Sequence, residues 1–371
     1  LNEEYVKAIV YDISDKNNIN KIRELELEGE YVSSRKLGPA LYLVANKNID
    51  RYRIMEGEKP NLPGYRDSAL GSKDLEMDLN KVRYFPDCST PNYLLTAGIN
   101  LNQPAKPASV SAYLGSGEEI YVSQSALYTA ISRWAYPRPL LEENSSIVPV
   151  PSQANTSIYK FTLSAGTITF AAAGKVPGTI LNQFSMDAYK GYLRVATTTG
   201  QIWRQDEGTS KNNVYVLDGA LKITGKLENI APGEKIYSAR FMGDRAYMVT
   251  FKNVDPFFVI DVSSPKAPKV LGALKIPGDS DYLHPVDKNH VLGFGKDTVE
   301  EKQPGGNGQE TSTAYYQGMK IALFDVSNVS RPVEKFKTVI GDRGTDSPLL
   351  NNHKALLFDL NKQLLAFPVT V

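Results

Sequence analysis

The sequence predicts an all-β fold, a β-propeller of four-stranded antiparallel blades, and three observations predict it. A unit of four short strands, clearest from Tyr237 to Gly278, recurs along the chain. Its apolar positions are filled by Val, Ile, Leu, Phe and Tyr, the last numbering 21, while apolar residues at helical spacing are nearly absent. The repeat is also too long for a short solenoid unit and fits four strands plus loops, the period of a propeller blade.

In the reference unit, Ser238 to Phe241 and Ala246 to Phe251 form the inner strand pair around a Gly243-Asp244 turn. Pro256 to Val262 and Val270 to Ile276 form the outer pair. The chain opens on KAIVYDISDKNNINKIRELELEG, an outer pair without its inner partner, so it starts in mid-blade. Six outer pairs place Asp12, Asn100, Thr162, Asp218, Asp261 and Asp325 at one equivalent position, read as a turn former at a strand end. Six inner pairs align Tyr42, Tyr128, Leu193, Tyr247, Leu292 and Leu365. The chain is thus read as one domain over residues 1–371 with six blades' worth of strands. The last inner pair could complete the first outer pair, or further blades could lie beyond both termini; the count permits either.

Extra residues fall between the second and third strands, near 46–92, 133–156, 200–212 and 296–318. In an up-and-down blade these insertions share one face, and elaboration on one face of a repeat fold is where binding surfaces arise. Within them, SKDLEMDLNKV (72–82) is expected to form a short helix, and the polar, Gly-rich stretch 300–313 to be mobile. Trp134 and Trp203 stand at the starts of two insertions, where an exposed aromatic ring can anchor a partner or stack on a sugar, although packing onto the blade is the favoured reading.

Forty-two basic and 41 acidic residues leave a net charge of +1, with no basic run of five, so nucleic acid and anionic membrane surfaces are not expected partners. No apolar run reaches the ~20 residues of a membrane span. The N-terminal residues lack the basic start and apolar core of a signal peptide, as a trimmed secreted chain also would. Cys88 is the single cysteine and leaves the redox compartment open. A monomer is expected.

Several longer phrases carry a resemblance: YVSSR (31–35), YLVANK (42–47), VPGTILNQFSMD (176–187), LENIAPGEKIYSARFMGDRAYMVTF (227–251), YYQGMKIALFDVS (315–327) and IGDRGTDSPLLNNHKALLF (340–358). With them the chain resembles the secreted bacterial and archaeal proteins that carry a C-terminal β-propeller domain distantly related to WD40 repeats. The resemblance implies export, often to the cell surface, and an intact domain of about seven or eight blades. It implies no activity and no functional residue.

Catalytic signatures such as G-x-S-x-G, H-E-x-x-H and the phosphate loop are missing, which favours a non-enzymatic reading. The innermost strands begin near Arg35, Ser123, Gln183, Arg240, His284 and His353. Two Arg and two His at a channel mouth would suit a carboxylate or another anion, against the plainer reading that they satisfy backbone carbonyls. Arg35, Gln183, Arg240, His284 and His353 are therefore the candidate ligand-binding residues, and no residue is assigned to catalysis or to a metal. His284, His290 and His353 are read as structural rather than as a metal triad. No cofactor is expected; Asp279 and Asp281 could contribute oxygens to Ca²⁺, but turn capping is the favoured role. Function is read as a non-catalytic extracytoplasmic scaffold binding a protein, peptide or cell-wall component on the insertion face. The alternative is a hydrolase or lyase acting on an extracellular polymer.

Overall fold

Alternating apolar and polar residues, broken every few positions by Gly, Asn or Asp, give short strands joined by tight turns. In the computed structural model the described residues are 4–57, 61–71, 73–86, 90, 92–115, 119–135, 153–251, 255–276, 278–304 and 310–371. The chain divides into two compact units, Leu1–Ile131 with Ser157–Lys175 and Ser132–Thr156 with Val176–Val371.

In the first unit, β1 (Tyr5–Asp12) and β2 (Asn20–Glu28) form the predicted outer pair. β3 (Glu30–Leu37) and β4 (Ala40–Asn48) form the first inner pair. The insertion after β4 is not a loose loop. It holds the one-turn helix α1 (Arg51–Met55), then β5 (Gly64–Asp67), β6 (Asp74–Glu76) and β7 (Arg83–Tyr84). β5 pairs with β2 and β6 with β5, giving a sheet of order β1-β2-β5-β6. β7 instead runs parallel to β9 (Ser109–Leu114), at the edge of a sheet of order β3-β4-β8-β9-β7 that includes β8 (Asn92–Asn100). The helix expected over 72–82 is replaced by β6 and a 3-10 turn at Leu79–Lys81. β6 ends at Glu76, and Asp78 caps the following turn by accepting a hydrogen bond from the Asn80 N–H at 3.0 Å, so helical backbone starts only after it.

Buried charge pins the insertion. Arg23 on β2 and Asp67 on β5, 2% and 0% exposed, are paired at 2.7 Å. Lys47 lies 2.7 Å from Glu28 and donates to the Leu62 carbonyl at 2.9 Å, while Glu28 also accepts from the Gly64 N–H at 2.7 Å. A third sheet, β10-β11-β12-β13, is built from Glu119–Val122, Ala126–Ala135, Gln153–Ser164 and Thr167–Pro177. The bulk of the expected insertion at 133–156 lies outside the described residues. The core of this unit joins Tyr42, Leu94, Phe161 and Ile168 in one cluster and Leu25, Leu43, Leu95 and Ile99 in another.

The second unit contains three blade-type sheets, each antiparallel and in simple sequence order. The first is β14 (Met186–Tyr189), β15 (Tyr192–Thr199), β16 (Lys211–Leu217) and β17 (Ile223–Ile230). The second is β18 (Lys235–Met242), β19 (Arg245–Phe251), β20 (Asp255–Asp261) and β21 (Lys269–Ile276). The third is β22 (Tyr282–Pro285), β23 (His290–Pro304), β24 (Glu310–Asp325) and β25 (Val333–Ile340). β26 (Leu357–Asp359) and β27 (Leu364–Ala366) follow as a two-stranded sheet. Within the stretch 300–313, residues 300–304 and 310–313 prolong β23 and β24, paired out to Pro304 and Glu310, while 305–309 lie outside the described residues. The ladder passes one irregularity, between Lys296 and Thr298, and resumes beyond it because the insertion lengthens both strands.

The repeated Asp or Asn has one structural role. Asp12, Asn100, Asp218, Asp261 and Asp325 each accept, through the side chain, the backbone N–H two residues on, at 2.9–3.0 Å. Thr162 departs from the pattern, lying inside β12. The chain turns there at Ala165-Gly166, both at positive φ, so no side-chain cap is needed. Adjacent blades also approach closely through glycine. A Cβ at Gly225 would lie 2.2 Å from the Pro265 carbonyl oxygen, and one at Gly272 would lie 2.3 Å from that of Val329. Each outermost strand thus admits the turn of the following blade only where it has no side chain.

Candidate functional site

Pairing registers fix where the candidate residues sit. Arg35 on β3 stands opposite Tyr42, Arg240 on β18 opposite Tyr247, and His284 on β22 opposite Leu292, one equivalent position in three sheets. The corresponding residues elsewhere are Tyr121, Ala188 and Phe358, opposite Tyr128, Leu193 and Leu365. The expected common register is therefore wrong for Ser123, Gln183 and His353. Ser123 follows β10 and closes its turn by donating to the Ala126 carbonyl at 3.1 Å. Gln183 and His353 lie on 3-10 turns ahead of β14 and β26, at Gln183–Ser185 and His353–Ala355. Asn182 and Asn352 start these turns by accepting the Phe184 and Lys354 N–H groups at 2.9 and 3.1 Å.

Four of the candidates nevertheless gather in the second unit. The Gln183 amide donates to His353 Nδ1 at 3.2 Å. The Arg240 guanidinium lies 4.6 Å from the centre of the Phe184 ring, a cation–π contact. Phe184 also meets the His353 ring edge-on at 4.9 Å and the Tyr282 ring at 5.5 Å. The Tyr282 hydroxyl and His284 Nδ1 share a hydrogen bond of 3.0 Å, and Phe358 packs edge-on to His284 at 4.7 Å. Tyr282 is buried, whereas Gln183, Phe184, Arg240, His284 and His353 are half-buried and keep access to solvent. Burial, reinforced by the positive charge of Arg240, holds the His284 imidazole below its usual 6.5. Burial pushes the Tyr282 phenol up. The aromatic partners Phe184, Tyr282 and Phe358 were missed in the sequence, although the repeated Asn-cap phrase at Asn182 and Asn352 could have found the first.

Arg35 belongs to the first unit, half-buried, and donates to the Ser34 carbonyl at 3.0 Å. His290 lies apart from the other two histidines, at the far end of the β22–β23 turn, with Nδ1 2.9 Å from Asp287.

Asp279 and Asp281 are parted by Ser280 on the link into β22. Asp279 is 2% exposed and accepts the Lys296 N–H at 2.6 Å, a backbone cap rather than an open ligand position. Burial raises its carboxyl, against the pull of that N–H and of Lys320. Burial and the neighbouring Asp279 charge push Asp281 up to about 7. Among the described residues no group of three or more His, Cys, Asp or Glu is placed to hold a metal ion. The Asp281 shift has a consequence for stability. Below 3.8 the group is protonated folded or unfolded; as pH rises toward 7 the unfolded chain ionises first, so stability falls across that interval and then levels. Asp281→Asn is expected to flatten this decline and to raise stability at pH 8 by about 1–3 kcal/mol, read from urea melts at pH 5 and pH 8. An unchanged pH profile would place the proton elsewhere.

A third feature lies beside β15. A cleft of about 330 Å³ is bounded by Thr179, Ile180 and Leu181 on one side and by the Gly200–Trp203 turn on the other. Trp203 is 73% exposed, so packing of its indole onto the blade, the reading favoured from sequence, is not what is found. The turn itself is rigidly tied: the Arg204 Nε donates to Asp206 at 2.7 Å, and the Thr209 N–H to the Asp206 carbonyl at 2.9 Å. The Trp134 side chain lies outside the described residues.

The family model described as "Beta propeller domain" matches residues 1–371. Two archaeal relatives, both named only as uncharacterized proteins, are similar to the chain. That of Methanocaldococcus jannaschii is 44% identical over 53% of this chain and 28% of its own length. That of Archaeoglobus fulgidus is 39% identical over 92% of this chain and 60% of its own length. The chain thus spans less than two thirds of either relative. Among solved structures, cobalt-substituted Synechocystis ACO covers 80% of this chain and 64% of its own at 9% identity and a TM-score of 0.33. A mutant of the Synechocystis apocarotenoid oxygenase covers 86% and 72% at 10% identity and a TM-score of 0.34. At such scores the likeness carries no argument.

Proposed function

The chain belongs to the β-propeller domain family, and from that premise we propose that it is a non-catalytic, extracytoplasmic interaction scaffold that captures a carboxylate-bearing partner. The observation that carries this reading is the gathering of Gln183, Arg240, His284 and His353 around Phe184 and Tyr282. Arg240 supplies a fixed positive charge and His284 an adjustable one; the Gln183 amide and the aromatic rings shape the site and exclude water. Arg35 is assigned the same anion-binding role within the first unit. The exported setting rests on the resemblance of the longer sequence phrases to secreted proteins, and the partner is a protein, peptide or cell-wall component presenting an acidic group.

Calorimetric titration with citrate and short acidic peptides tests the site. Arg240→Met, which keeps the stem over Phe184 and removes the guanidinium, is expected to weaken binding by about 1.5–3 kcal/mol. Binding unaffected by this change would remove Arg240 from the site.

One observation favours the second reading, a hydrolase or lyase on an extracellular polymer. Asp281, raised to about 7 beside Asp279, could hold and deliver a proton near neutral pH. Turnover of a polymer that disappears in Asp281→Asn, while sulfate or citrate binding persists, would select this reading.

A further inference from the structure

The cleft beside Trp203 presents unused binding groups of three kinds. Its wall is aliphatic, formed by Ile180, Leu181, Ile202 and Ile236, with the indole of Trp203 open to solvent at the rim. The Gln201 carboxamide makes no hydrogen bond to any described residue, and the Ser210 hydroxyl, in a residue 0% exposed, is buried without a partner. Lys235 lies at the cleft with its ammonium 5.0 Å from the centre of the Tyr237 ring, and no described carboxylate pairs with it. Arg204, next to Trp203, is already neutralised by Asp206.

These groups select among ligand chemistries. A saccharide would press many hydroxyls against the aliphatic wall formed by Ile180, Leu181, Ile202 and Ile236, where each hydrogen bond to water that is lost and not replaced would count against binding. An apolar side chain, by contrast, gains by leaving water for that wall. A carboxylate close to it would meet the Lys235 ammonium, which no described carboxylate neutralises. A peptide bond offers a donor and an acceptor that match the Gln201 amide.

We propose that this cleft is a peptide-docking site that takes an apolar side chain against Ile180, Leu181 and Ile202, with an adjacent carboxylate on Lys235 and the peptide backbone on Gln201. The inference rests on the interaction-scaffold reading but not on the Arg240 cluster, which is a separate set of residues. The exposed indole acts as a flat rim that covers the inserted side chain and excludes water from the Lys235 contact.

The test follows the Trp203 indole N–H resonance, assigned by its loss in Trp203→Phe. The protein is titrated with acetyl-Ala-Ala-Leu carrying a free C-terminal carboxylate and with acetyl-Ala-Leu-Glu-amide, which distinguish a chain terminus from an acidic side chain as the source of the carboxylate. Acetyl-Ala-Leu-Gln-amide and cellobiose are the comparison ligands. At least one carboxylated peptide is expected to give a saturable shift that neither comparison ligand gives. Lys235→Gln is expected to weaken it by about tenfold or more, and Arg240→Met to leave it unchanged. The proposal is overturned if neither carboxylated peptide saturates below about 10 mM, if the Gln peptide or cellobiose does as well, or if Lys235→Gln binds with unaltered affinity. Should the peptides fail while sulfate still binds in an Arg240-dependent way, the cleft proposal falls alone. Should sulfate fail too, the scaffold reading falls with it.

Discussion

Asp67→Ala is expected to lower stability by about 3–5 kcal/mol, the cost of stranding a buried charge. Arg23 is 2% exposed; its other described contact is the Pro104 carbonyl at 2.7 Å, and its Nε has no partner among the described residues. Removing the Asp67 carboxylate would leave the buried guanidinium uncompensated. It would also strip the Ala69 and Ala108 N–H groups of the oxygens they reach at 2.9 and 2.8 Å. The double replacement Arg23→Met with Asp67→Leu should recover the part of the loss that comes from the stranded charge, though not the part from the Ala69 and Ala108 N–H groups. Urea melts followed by circular dichroism give the comparison. A single variant as stable as the parent would mean that the β5–β6 extension is not held to β2 by this pair.

Tyr247→Ala is the second large effect, about 3–5 kcal/mol through the cavity it leaves. The ring is 1% exposed and stacks on Phe257 at 5.7 Å, which in turn stacks on Phe324 at 4.6 Å, joining two sheets of the second unit. Tyr247→Phe keeps that stack and should cost only about 1 kcal/mol, the usual worth of the lost hydroxyl interaction. If the two variants melted alike, the stack would not be what binds the sheets together.

Both sites show how far sequence reasoning reaches. Tyr247 was legible, because it recurs at a fixed place in an alternating strand and alternation reports burial directly. The turn role of Asp12, Asp218, Asp261 and Asp325 was legible for a similar reason, since a side chain that caps its own backbone needs only local sequence. Arg23 and Asp67 were not, being 44 residues apart and contributed by strands that no repeat predicts. β5 and β6, of four and three residues, are too short to show a period. The helix expected over 72–82 failed because Asp74–Glu76 pairs with β5 as a strand and Asp78 caps only the single turn that follows.

The candidate site was half legible. Arg240 and His284 were found because they share a strand register with Arg35. Gln183 and His353 were found as neighbours in sequence of the inner strands, yet they reach the cluster from 3-10 turns and not from the strands. The contact between them spans 170 residues, a closeness that comes from packing alone. Trp203 was noticed for its type; that Gln201 and Ser210 have no described side-chain hydrogen bond and Lys235 no described carboxylate has no sequence signal, since pairing is a property of the fold.

Sulfate affinity as a function of pH, measured by calorimetry from pH 5 to 8, tests the anion-binding reading most directly, because sulfate keeps its charge over that range. Burial and Arg240 hold the free His284 imidazole below 6.5, and a bound anion raises it again. Affinity should therefore strengthen as pH falls through the bound-state value and level off below the free one, with the whole curve displaced to weaker binding in Arg240→Met. Absence of binding below about 10 mM, or an affinity indifferent to both pH and Arg240→Met, would contradict the assignment of this cluster as the working site.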